Sequence, residues 1–294
     1  MGIFSFFSKD KKETLDKGLS KTKESVFSKI TKAIAGKSKV DDDFRLIDTL
    51  NTENVLNGKT EGVYATMNTG TLYGVGIGPG DPKLMTFRAA ELIRDNEIIA
   101  LPGEKAEETV AYQIAVQTVE ELKQKTFLEL PMPMTKDREL LEKSHEEAAD
   151  RVEECLQKGQ NVVFLTLGDP TVYSTYLYVH KRIAQRGYRT ELTSGITSFC
   201  AVAAKLNIGL VEKAEELHVI PASYQIEDAL KLPGTKVLMK AGRKIGQVKE
   251  LLKKAGMQAM MIENCGMENE KIYQTVDEIP ENAGYYSLII VKEN

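Results

Sequence analysis

The chain has 294 residues, 42% hydrophobic and 28% charged, with a formal net charge of −4. This is the composition of a globular protein of one large or two ordinary domains, and it excludes a disordered or fibrous chain. No apolar run approaches the roughly 18 residues of a membrane span, nothing resembles a secretory leader, and Cys155, Cys200 and Cys265 lack any metal-ligand or disulfide spacing. With His145, His180 and His218 equally scattered, no protein-bound metal is expected, and the cytoplasm is the expected compartment.

In chain order, the first segment is a different object from the rest. Ten lysines against Asp10, Glu13, Asp16 and Glu24 make residues 1–40 strongly positive in an otherwise acidic chain. Leu15, Leu19, Val26, Ile30 and Ile34 recur at helical spacing behind Phe4, Phe6 and Phe7. Residues 1–36 are therefore predicted as one amphipathic helix, able to lie weakly on an anionic membrane surface or to pack on a partner. Gly36-Lys37-Ser38 is not a phosphate loop, because Thr31 stands where its first glycine belongs and no strand precedes it. The text MGIFSFFSKDKKETLDKGLSKTKESVFSKITKAIAGKSKVDDD, residues 1–43, resembles the start of the bacterial signal-recognition-particle receptor, but none of that family's GTPase motifs follows. Residues 44–68, with Asn51, Asn54, Asn57 and Gly58 and no sustained period, are predicted as linker, and Met67 offers an independent start.

From there strands and helices alternate, which predicts a mostly parallel α/β sheet. A strand at 71–75 closes on the turn Gly76-Ile77-Gly78-Pro79-Gly80-Asp81, where Asp81 before Pro82 reads as a helix cap. The glycine spacing is not that of a dinucleotide fingerprint, since Pro79 follows Gly74 by five and Asp81 follows Gly76 by five. Leu84, Phe87, Ala90 and Ile93 mark the buried stripe of the next helix. Further elements are a strand at 97–101, a helix around 109–125, a strand near 127–130 and a long charged helix at 136–158. The stretch NVVFLTLGDPTVYST, residues 161–175, then gives a near-continuous apolar strand that ends on Gly168. Asp169 before Pro170, read alone, is another helix cap. A strand at 189–193 leads to Ser194-Gly195-Ile196-Thr197-Ser198 and an alanine-rich helix at 199–206, with later strands at 217–220, 236–240, 259–263 and 287–291. This divides the chain after the linker into two α/β domains, 69–193 and 194–294, with the turns at Gly168 and Gly195 facing their junction.

YGVGIGPGDPKLMT, LTLGDPTVYSTYLYV, TSGITSFCAVAAKLNIGL and VLMKAGR, in that order and spacing, resemble the tetrapyrrole methylases. Within them GDPTVYST and GITSFCAVAAKL are most similar to the enzymes that methylate C(20) of precorrin-2 or cobalt-factor II in cobalamin synthesis. Ser194 departs from the family, which has proline before this glycine. The resemblance implies S-adenosylmethionine as methyl donor in a cleft between the domains, held by Leu167, Gly168, Asp169, Tyr173, Thr197, Ser198 and Met239. It implies that Gly76, Gly78, Pro79, Gly80 and Asp81 face the tetrapyrrole, that the protein is a homodimer and that no nucleic acid is bound. Asp169, Lys240 and Tyr285 are the candidates for catalytic groups near the acceptor carbon. Lys240 is equally a partner for substrate carboxylates, Met239 equally a core residue of its strand, and Thr197 and Ser198 equally helix caps. Two alternatives stay open: another methylase of this fold, acting on uroporphyrinogen, another precorrin position or rRNA ribose, and a membrane adaptor carrying a non-catalytic methylase-like module.

Overall fold

The computed structural model describes residues 69–293 apart from 224 and 225, with Arg243 described in its backbone only; the lysine-rich helix and linker predicted for 1–68 lie outside the described residues. Strands β1 (Leu72–Gly76), β2 (Ile98–Leu101), β3 (Thr126–Glu129), β4 (Val162–Thr166) and β5 (Thr190–Thr193) form one sheet in the order β3-β2-β4-β1-β5. All its pairings are parallel. Between the strands run α1 (Phe87–Asp95), α2 (Val110–Ala115), α3 (Arg138–Gln157) and α4 (Tyr176–Gln185). The unbroken apolar run of β4 follows from its central place with both faces covered. Val163 and Leu165 pack with α1 and α2, while Val162 and Phe164 pack with α3 and α4.

The second sheet joins β6 (Leu217–Pro221), β7 (Thr235–Met239), β8 (Gln258–Glu263), β9 (Lys271–Tyr273) and β10 (Ser287–Lys292) in the order β6-β7-β10-β8-β9. Helix α6 (Ile245–Lys254) covers one face with Leu238, Met261 and Ile289, and α5 (Ser198–Lys205) covers the other with Val237, Ile262 and Ile290. This sheet is mixed, unlike the first. Only β6 pairs with β7 in parallel; β10 lies antiparallel between β7 and β8, and β9 is antiparallel to β8. The crossover β7-α6-β8 does run the way alternation predicts, but the last strand fills the gap it leaves, and alternation carries no trace of that insertion.

Two helices are corrected. Thr86 accepts from the Ala89 amide at 3.2 Å, so α1 starts at Phe87 and turns Ala89, Ala90, Leu92 and Ile93 to the core. Phe87 is left 92% exposed and Leu84 sits in the short 3-10 turn Pro82–Leu84 ahead of it. The helix predicted at 109–125 is six residues of α2 and a separate 3-10 turn, Glu120–Gln124, because the extended Val119 interrupts it.

Candidate active site

Three strands of the first sheet end side by side, and their loops lock together. Gly78 and Gly168 exchange backbone hydrogen bonds (Gly168 amide to Gly78 carbonyl 2.8 Å, the reverse 3.3 Å). A Cβ at Gly76 would lie 2.5 Å from the Gly168 carbonyl oxygen, and one at Gly195 2.1 Å from the same atom. Neither place admits a side chain, which is why glycine stands at the end of β1 and in the loop just after β5.

Asp169 is the bolt of this arrangement rather than a helix cap. The residues after it form a turn and α4 does not begin until Tyr176. Its Oδ1 accepts from the Thr171 amide at 2.8 Å and from the Thr171 hydroxyl, and its Oδ2 accepts from the Gly195 amide at 3.0 Å. The side chain is buried, so the carboxylate ties the β4 loop to the β5 loop with charge-assisted bonds shielded from water.

Between this sheet edge and the second sheet lies a cavity of about 740 Å³, within the range of small-molecule sites. Leu167, Gly168, Asp169, Tyr173, Thr197, Ser198, Met239, Lys240 and Tyr285 all line it. Of the glycine-turn residues only Pro79 does: Gly76 and Gly78 are packed under the Gly168 loop, Gly80 backs onto the Cys265 carbonyl, and Asp81 accepts from the Lys83 amide at 2.9 Å as a cap. The deep end is apolar, with Val202, Ile262 and Leu288. The Thr197 hydroxyl there is buried without a hydrogen-bond partner, an unmet demand that a ligand in the cavity can meet.

Tyr173 and Lys240 bridge the two sheets. Both have left-handed backbones (φ 50° and 59°), a strained state for residues with side chains that concentrates at functional sites. Lys240 Nζ donates to the Tyr173 carbonyl at 3.3 Å and stands 5.3 Å from the centre of its ring, while the Tyr173 hydroxyl donates to the Val219 carbonyl at 3.2 Å. Burial pushes the Lys240 pKa down, and burial, reinforced by Tyr286, pushes that of Tyr285 up. Sequence reasoning missed the outer wall, made of Thr109 to Ala111 and of Met132 and Met134 in the β3-α3 loop, together with Cys265 and Met267 after β8. These residues form no motif; only the tertiary fold brings them to the mouth.

A family model described as Tetrapyrrole (Corrin/Porphyrin) Methylases matches residues 71–280. The chain is 35% identical over 225 residues to the probable cobalt-precorrin-2 C(20)-methyltransferase of Methanocaldococcus jannaschii, covering 75% of this chain and 95% of that one. It is 30% identical over 232 residues to the cobalt-precorrin-2 C(20)-methyltransferase of Salmonella typhimurium, covering 76% and 97%. The solved structure of a uroporphyrin-III C-methyltransferase from Thermus thermophilus, complexed with S-adenyl homocysteine, is similar with a TM-score of 0.57 at 18% identity, covering 76% of this chain and 98% of that one.

Proposed function

Since the chain belongs to the tetrapyrrole (corrin/porphyrin) methylases, we propose that it transfers a methyl group from S-adenosylmethionine to C(20) of precorrin-2 or its cobalt form in cobalamin biosynthesis. The observation that carries this reading is the 35% identity spanning 95% of a relative named as a probable cobalt-precorrin-2 C(20)-methyltransferase. The cavity fits the donor. The backbone groups of the turn at Gly168 and the unpartnered Thr197 hydroxyl can meet polar groups of the donor, and the apolar deep end can take the face of its adenine ring.

When bound, S-adenosylmethionine supplies a methyl group on a cationic sulfonium, electrophilic toward an electron-rich ring carbon. Leu167, Gly168, Thr197, Ser198 and Met239 hold it, and Asp169 keeps in register the two loops that carry the first four of these. Holding both reactants in attack geometry is the main service of such a site, worth as much as about 7–11 kcal/mol. Asp169 has both carboxylate oxygens committed to loop donors, so its role is positioning. Tyr285, its phenol kept protonated by burial, donates a hydrogen bond to the acceptor. Lys240, whose pKa burial lowers, is the group assigned to take up the proton lost at C(20), on the lone pair of its neutral amine Nζ. Assembly as a cytoplasmic homodimer belongs to the same reading. The test is turnover with metal-free and cobalt-loaded precorrin-2. Donor-dependent methylation of at least one supports the reading, and transfer to neither overturns it.

A further inference from the structure

The mouth of the cavity carries a large apolar side chain with little protein around it. Met134 lines the cavity yet is 79% exposed, whereas Met132, two residues earlier, packs partly buried against the α3-α4 side of the first sheet. An isolated surface methionine needs no explanation, but this one is held in place from both sides. Upstream, the Leu130 amide donates to the Leu101 carbonyl at 2.9 Å, the Glu129 carboxylate accepts from the Ala106 amide at 2.8 Å, and Arg151 donates to the Glu129 carbonyl. Downstream, the Thr135 amide donates to the Pro133 carbonyl at 3.1 Å, the Asp137 amide donates to the Thr135 hydroxyl at 3.1 Å, and Asp137 caps α3. Pro131 and Pro133 fix the backbone on either side of Met132 and directly before Met134. A braced loop thus presents an apolar thioether at the entrance. Tyr173 and Tyr285, 43% and 46% exposed, line the same cavity.

We propose that Met134 is an acceptor-binding residue whose side chain packs on the flat conjugated face of the tetrapyrrole acceptor, making the Pro131–Met134 loop the outer wall of the acceptor subsite. The inference rests on the function proposed above. It divides the cavity into a buried donor end, with Thr197, Val202, Ile262 and Leu288, and an open acceptor end whose apolar surface is covered only when a large planar ligand enters. A thioether is suited to this place because it is polarisable, packs well on conjugated rings and adapts its shape.

The test uses the full chain with Met134→Glu, Met134→Ala and Met134→Leu, none of which alters a donor-binding residue. Precorrin-2 binding is read from its absorbance change, S-adenosylhomocysteine binding by calorimetry, and KM and kcat from turnover. Met134→Glu is expected to raise the acceptor KM and dissociation constant by roughly tenfold or more, from the lost apolar contact and the added negative charge. Met134→Ala should raise them by a few-fold and Met134→Leu should restore them, with S-adenosylhomocysteine affinity unchanged throughout. Acceptor binding within twofold of parental in Met134→Glu, or an equal loss of S-adenosylhomocysteine affinity, overturns the inference alone. A parental chain that neither binds nor methylates the tetrapyrrole removes the function reading and this inference with it.

Discussion

The Asp169 carboxylate accepts hydrogen bonds from donors on two loops, and a carboxamide has only one oxygen with which to do so. In Asp169→Asn the amide nitrogen must face either the Gly195 or the Thr171 amide, donor against donor, in a buried place. Leaving one such group unsatisfied costs about 1–3 kcal/mol. We therefore expect the variant to lose stability of that order in urea unfolding, and to bind S-adenosylhomocysteine more weakly in calorimetry because the loops at Gly168 and Gly195 part. A helix-capping aspartate would behave differently, since asparagine caps about as well. Parental stability and parental affinity in Asp169→Asn would contradict the clamp.

Among the elements, α3 and α4 carry the clearest pH dependence. Arg182 pairs with Glu142 and Glu146, and Arg186 with Glu146, Asp150 and Glu153, tying the two helices along their exposed edge. Beneath them His145 of α3 is 4% exposed and stacked on Tyr178 of α4, ring centres 4.3 Å apart, with Nδ1 unpartnered. Burial, reinforced by Arg182, pushes its pKa down. The unfolded chain therefore binds the proton more tightly, so this contribution is full above the ordinary histidine value of about 6.5 and is lost as pH falls below it. His180, also depressed by burial, acts in the same window. Glu146, depressed by its hydrogen bonds to Arg186 and Arg182, gives up its contribution only at lower pH, once carboxylates begin to protonate. Urea midpoints should fall between pH 7 and pH 5, and His145→Phe, which keeps the stack, should flatten that fall; an unchanged slope would clear His145 of the effect. The same helices show what was legible in the sequence. The 20 residues of α3 and the apolar Val162 to Leu165 of β4 announce themselves by charge and by apolar continuity. The three-residue β9 and the insertion of β10 do not, since local pattern says nothing of which distant strand fills a gap. The cavity divides likewise. Its Gly168, Thr197 and Met239 edge lies in motifs, while Met134 and Met267 arrive from loops whose sequence carries no signature.

For the whole molecule, the match to residues 71–280 places the methylase in the later part of the sequence. Residues 67–294 alone are expected to be soluble and to turn over as the full chain does; insoluble or inactive protein would show that the first 66 residues are needed. What distinguishes this enzyme is where the methyl group goes. The fold and its cavity agree with several methylases, and only the reacting carbon separates them. The decisive measurement is therefore carbon NMR of the product formed from precorrin-2, metal-free and cobalt-loaded, with S-adenosylmethionine labelled with ¹³C in its methyl group. A single new labelled methyl attached to C(20) is expected; label on any other ring carbon, or none from either acceptor, would contradict the C(20) assignment.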